Sequence, residues 1–186
     1  PIIKEDSLKV DSKAFSATFK WSTQDADPKI VHRSSSFIEY GPSKDKVGKE
    51  NGGETIGQLD KVDDHVVTLK GLKPDQTKYF YRVVWVDQDG NEGSTEVNDG
   101  SFFMTQDRPI ASEIKVPDQN ITLNSASITY KTNYPVTTEI IYGKSKELSG
   151  STTGNKSDFA TNHVINLSGL DHSTKYYFKI MGNDQD

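Results

Sequence analysis

One stretch of this chain is written twice. His65-Val66-Val67-Thr68-Leu69-Lys70-Gly71-Leu72, followed by Thr77-Lys78-Tyr79-Phe80-Tyr81, returns as His163-Val164-Ile165-Asn166-Leu167-Ser168-Gly169-Leu170, followed by Thr174-Lys175-Tyr176-Tyr177-Phe178. Shorter echoes precede both in the same order. Phe19-Lys20-Trp21-Ser22-Thr23 matches Ile128-Thr129-Tyr130-Lys131-Thr132, and Ile38-Glu39-Tyr40-Gly41 matches Ile140-Ile141-Tyr142-Gly143, with Ser43-Lys44 and Ser145-Lys146 beyond them. Order kept over such a distance means two copies of one domain, not a short-period solenoid.

The 186 residues leave each copy a small core. The break is expected at Gln106-Asp107-Arg108-Pro109, where a polar strip ends in a proline that favours extended backbone. This gives a first domain over 1–106, net charge −4, and a second over 107–186, net charge −1. Neither half has a basic run, which argues against nucleic acid and anionic membranes. No apolar run reaches the roughly 18 residues of a spanning helix, so no membrane insertion is expected. The absence of cysteine removes disulfides, Cys-type zinc sites and thiol nucleophiles.

Period-two alternation runs through both copies, with no apolar stripe of helical spacing. Ala17, Phe19 and Trp21 share one face of a strand, as do Val67 and Leu69. Tyr79, Tyr81, Val83 and Trp85 share one in the next. Ile128 with Tyr130, Ile165 with Leu167, and Tyr176 with Phe178 and Ile180 repeat the pattern. Turn signals separate them at Gly41-Pro42-Ser43, Asn51-Gly52-Gly53, Asp89-Gly90-Asn91 and Asp99-Gly100. The pattern indicates an all-β chain of antiparallel sandwiches, and the family resemblance of the following motifs implies two tandem Greek-key antiparallel β-sandwiches of the immunoglobulin-like kind.

Trp21 on an early strand, with Leu69-x-Gly71-Leu72-x-Pro74-x-x-Thr77-x-Tyr79-x-Tyr81, resembles the fibronectin type III domain. The second copy, Leu167-x-Gly169-Leu170 followed by Thr174-x-Tyr176-x-Phe178, is similar but one residue shorter and without the proline. The Ile-x-Tyr-Gly close of the third strand resembles bacterial and archaeal surface modules and the N-terminal domain of purple acid phosphatases. The resemblance implies tyrosine corners at Tyr79 and Tyr176, and it implies Trp21 and Tyr130 filling the space between sheets. It also implies an extracellular or cell-surface setting.

The repeat exposes one asymmetry. Beyond Asp87-Gln88-Asp89 the first copy continues to a final strand near Gly100–Thr105, whereas the second reaches only Asp184-Gln185-Asp186. The second sandwich is expected to be C-terminally incomplete, either as a piece of a longer chain or with a strand supplied by a partner.

Candidate chemistry is thin. His65 and His163 open equivalent strands, but neither has a Cys or an adjacent His to complete a site, so they read as polar strand-start residues and not as metal ligands. Asp87-x-Asp89-x-Asn91 imitates the start of a calcium loop, yet Glu92 and Asn98 stand where Gly and Glu are required. Asp60, Asp63 and Asp64, and Asp25 with Asp27, read as solvated loop charges. The hydroxyl runs Ser34-Ser35-Ser36 and Ser149–Gly154 contain no nucleophile elbow or phosphate loop, and the phosphatase family's metal motifs are absent. No catalytic, cofactor or metal residues are assigned, and the binding residues are left unknown. Contacts are sought at three expected loop tips, Asp25–Arg33, Asp87–Gly93 and Gly150–Lys156. The expected function is a non-catalytic spacer and protein-interaction scaffold of a larger surface protein, with protein partners or neighbouring domains and possible self-assembly through an edge strand. Two other readings stay open: a filament, sheath or virion subunit, and an accessory module of a secreted hydrolase.

Overall fold

β-Branched and aromatic residues at alternating positions build strands whose one face is buried, and the computed structural model, which describes residues 1–25 and 33–184, is accordingly made of strands. No α-helix occurs among the described residues, and three short 3₁₀ turns interrupt the loops. The chain divides into two compact units, Pro1–Arg108 and Pro109–Asp186. The division falls two residues beyond the expected one because the strip after Gln106 is tied to unit 1. The Gln106 N–H donates to the Lys13 carbonyl at 3.0 Å, and its own carbonyl accepts from the Asp75 N–H at 2.9 Å. The Arg108 guanidinium then closes on the Asp75 carboxylate, Nε to Oδ2 at 2.9 Å.

In unit 1, β1 (Ile2–Ile3), β2 (Lys9–Ser12), β3 (Ser16–Gln24) and β6 (Asp64–Lys70) form one antiparallel sheet, with β3 pairing the other three. The second sheet runs β5 (Glu54–Val62), β4 (Ser34–Gly41), β7 (Lys78–Val86), with β8 (Glu92–Ser94) and β9 (Phe102–Met104) both on the outer edge of β7. Consecutive strands switch sheets between β3 and β4, β5 and β6, and β6 and β7, so the connections are those of a Greek key. Phe19, Trp21, Val67 and Leu69 from one sheet meet Ile38, Tyr40, Val83, Trp85 and Phe103 from the other in a single core.

Strand β5 was not legible in the sequence. Six of its nine residues are exposed, as befits an edge, so no apolar alternation marks it.

Unit 2 repeats the plan with longer strands. β10 (Ala111–Lys115) pairs the first part of β11 (Ser125–Gly143), which also pairs the end of β12 (Ser151–Ser168). The second part of β11 pairs the start of β12 and β13 (Tyr177–Met181). The ladder shifts register between Lys131 and Val136, around Pro135, which has no N–H to give it. Each of β11 and β12 thereby serves both faces of one core, Ile128, Tyr130, Ile165 and Leu167 against Ile140, Phe178 and Ile180. The stretch expected as a loop tip at Gly150–Lys156 is instead mostly strand, because Ser151, Thr152 and Thr153 pair Tyr142, Ile141 and Ile140. Hydroxyl-bearing β-branched residues tolerate a solvent-exposed edge, which composition alone does not separate from a loop.

Candidate functional site

The turn that follows the repeated strand needs a left-handed residue, and Gly71 and Gly169 both supply it at φ +70°. One apolar anchor, Leu72 or Leu170, and a tyrosine then fix the way back. The Tyr79 hydroxyl accepts the Lys73 N–H at 3.0 Å, and the Tyr176 hydroxyl accepts the Asp171 N–H at 3.0 Å. These are the expected tyrosine corners, present in both units. Tyr79→Phe and Tyr176→Phe are each expected to lower the stability of their own unit by about 0.5–1.5 kcal/mol, read by chemical denaturation.

The corners place the repeated histidines at the centre of each sandwich, not at its surface. His65 is 1% exposed and His163 is 6% exposed. His65 Nε2 lies 2.9 Å from Thr23 Oγ1 on β3, and Nδ1 lies 2.7 Å from Ser36 Oγ on β4. One ring therefore joins the two sheets through two hydroxyls. His163 does the same through Thr132 Oγ1, at 3.1 Å from Nε2, and Thr138 Oγ1 on Nδ1. Each imidazole also stacks on the inter-sheet aromatic of its unit. Trp21 lies over His65 with centroids 4.8 Å apart and planes 6° apart, and Tyr130 lies over His163 at 4.4 Å and 13°. Burial holds both imidazoles below the ordinary histidine value of 6.5, because a charged ring would lose its water and neither hydroxyl carries a compensating charge. Asp63 and Asp64 oppose this at His65.

A second polar clasp sits one residue earlier on the third strand. Ser35 Oγ accepts the Val86 N–H at 2.9 Å, and Thr137 Oγ1 accepts the Asn183 N–H at 3.0 Å. Ser34, Ser35 and Ser36 are fully buried for this reason. The seam was missed in the sequence because Ser and Thr carry no period of their own. The signal was present in the repeat, where Thr23, Ser36 and His65 align with Thr132, Thr138 and His163. In the second unit the Tyr130 hydroxyl reaches Thr138 at 3.0 Å, whereas the Trp21 indole N–H finds no acceptor among the described residues.

The carboxylates singled out by spacing are used locally. Asp87 is 4% exposed and folds its oxygens into its own loop, Oδ1 accepting the Asp89 N–H at 2.9 Å and the Asn91 N–H at 2.8 Å, and Oδ2 accepting Asn91 Nδ2 at 2.9 Å. These donors keep its carboxyl below the usual range. Asp64 accepts the Ser22 hydroxyl at 2.6 Å, and Asp63 pairs Arg33 at 3.6 Å. Of the expected tip Asp25–Arg33, residues 26–32, Asp27 among them, lie outside the described residues. Among the described residues no group of three or more His, Asp and Glu side chains is placed to hold a metal ion.

One position breaks the repeat in a way that opens space. Gly182 stands where unit 1 has Trp85, and beside it lies a groove of about 350 Å³ lined by Ala111, Tyr130, Val136, Ile180 and Met181. Val83 is fully buried, whereas its counterpart Ile180 is only half-buried.

No protein-family model matches this chain, and no curated protein matches it. Solved structures do match, 117 chains in number. One is the crystal structure of chicken CNTN1 FN1-FN3 domains, 11% identical with a TM-score of 0.39, the match covering 95% of this chain and 60% of that one. The chain thus spans less than two thirds of that structure's length, and its all-β assignment follows from its own strand pairing.

Proposed function

We propose that the chain is a non-catalytic structural and interaction module, two stacked-sheet segments that space or present other parts of an extracellular or cell-surface protein. The observation that supports this reading most directly is the doubled histidine seam. The groups in each unit best suited to chemistry are buried between the sheets and bonded to hydroxyls, where they clasp the fold and meet no substrate. A load-bearing role suits the sandwich physically, because its two sheets are joined by side-chain hydrogen bonds and stacking as well as by apolar burial. Stretching the chain from its ends in a single-molecule pulling experiment is expected to give two separate unfolding events. Their extended lengths should be about 360–390 Å for unit 1 and about 260–280 Å for unit 2. One merged event, or a second unit that yields without measurable force, would defeat the spacer reading.

A further inference from the structure

We infer that Asn155 is a glycosylation site, its side-chain amide nitrogen taking a sugar from a lipid-diphosphate donor. The sequence holds three Asn-x-Ser/Thr triplets without an intervening proline, Asn120-Ile121-Thr122, Asn155-Lys156-Ser157 and Asn166-Leu167-Ser168. Such a triplet has chemical meaning because the hydroxyl two residues on can bond the asparagine amide and present it as an acceptor. The pattern alone does not separate the three. The fold does.

At Asn155 the hydroxyl is on the amide. Asn155 Oδ1 accepts the Ser157 hydroxyl at 2.9 Å, the Ser157 N–H at 3.0 Å and the Asp158 N–H at 3.2 Å. Nδ2 donates to Asp158 Oδ2 at 2.5 Å, which fixes the amide plane. The asparagine thus closes a turn with its own backbone two residues on. At Asn120 the hydroxyl is engaged elsewhere, Thr122 Oγ1 lying 2.6 Å from Ser125 Oγ, and Asn120 is half-buried. At Asn166 the backbone is extended within β12, which puts Ser168 on the same face but roughly 6.5–7 Å along the strand. The Asn166 Oδ1 there accepts the Ser127 hydroxyl at 2.5 Å instead.

Access favours the same site. Thr138 pairs Asn155 and Val136 pairs Ala160, so residues 156–159 of β12 stand opposite Thr137 alone and bulge out of the ladder, all of them exposed. Asn155 is itself exposed, at the foot of that bulge. Over residues 151–160 β12 pairs only with β11 among the described residues, so its outer edge is open. A bulky polar glycan at Asn155 would keep that edge from pairing with another chain.

The step balances as a substitution at the sugar. Asn155 Nδ2 forms the bond to C1, and the bond from C1 to the diphosphate oxygen breaks with its electron pair going to the lipid diphosphate. The proton lost from Nδ2 passes to a basic group of the transferring enzyme.

This inference rests on the surface-protein reading only for where such a donor is met, and purified components test it apart from that reading. The folded full chain is incubated with an oligosaccharide transferase that acts on Asn-x-Ser/Thr acceptors and with a polyprenyl-diphosphate-linked glycan. Peptide mass spectrometry reads the occupancy of each asparagine over time. Synthetic peptides of residues 114–126, 149–161 and 160–172 serve as unfolded counterparts. In the folded chain Asn155 is expected to fill at least about tenfold faster than Asn120 or Asn166, with a narrower spread among the three peptides. No transfer to Asn155 of the folded chain overturns the proposal, and so does equal filling of the three sites. A preference for Asn155 as large in the peptides as in the chain overturns it too, since the fold would then add nothing.

Discussion

Trp21→Ala is expected to destabilise unit 1 by about 3–5 kcal/mol, and Tyr130→Ala to do the same to unit 2. Both side chains lie between the sheets, at 2% and 3% exposure, and both support the ring of the buried histidine. Truncation removes the apolar burial, leaves a cavity in a closed core, and frees the imidazole from its stack. For units of about 80–110 residues such a loss amounts to a melting decrease of roughly 4–8 °C per kcal/mol, enough to unfold a marginal sandwich near room temperature. The two variants differ in one informative way. Tyr130 also donates its hydroxyl to Thr138, so Tyr130→Phe, which keeps the ring, is by itself expected to cost about 1 kcal/mol. Calorimetry of the full chain reads each loss in the transition of the unit concerned. A Trp21→Ala protein that melts within a degree of the parent would mean that the indole is not part of the inter-sheet core.

Mild acid is expected to weaken both units before any carboxylate titrates. His65 and His163 are neutral in the folded sandwich because burial holds their pKa values below 6.5, while in the unfolded chain they take up a proton near that value. Above pH 6.5 both states bind the same number of protons and there is no effect. As pH falls below 6.5 the unfolded state binds more, and each unit loses stability at a slope of at most about 1.4 kcal/mol per pH unit until the folded imidazole itself protonates. The lowered carboxyl groups of Asp75, Asp87 and Asp171 add their own loss only further down, as pH falls through and below their ordinary value of 3.8. Denaturation midpoints measured from pH 7.5 to pH 5 test this. His65→Gln and His163→Gln should abolish the slope in their own unit while lowering its stability at pH 7.5. A flat profile in the parent protein would show that the rings are accessible to protons and not clasped.

The placement of these histidines illustrates where the sequence was readable and where it was not. Their equivalence in the repeat was plain, and so was the lack of a Cys or an adjacent His beside either. Reading them as strand-start residues fits His65, the second residue of β6, but not His163, which lies inside β12 because that strand begins at Ser151, and it missed the depth of both, because burial depends on which face of β6 and β12 turns inward against β4 and β11. The aspartates near residue 87 follow the same logic. Their spacing was visible, but only the loop's curvature turned Asp87 onto the N–H groups of Asp89 and Asn91.

The sequence by itself determined the repeat, the strand-rich character and the inward rows, because period-two alternation and turn glycines are local properties that tolerate no other packing. The tyrosine corners were expected from the resemblance, and the structure supplies their hydroxyl-to-backbone bonds in both units. The tertiary structure alone decided the polar seam and the edge strands β5 and β12. Those features depend on contacts between residues tens of positions apart. Ser36 and Thr23 acquire their role only when His65 is brought between them, and an edge is an edge only with respect to the sheet it borders.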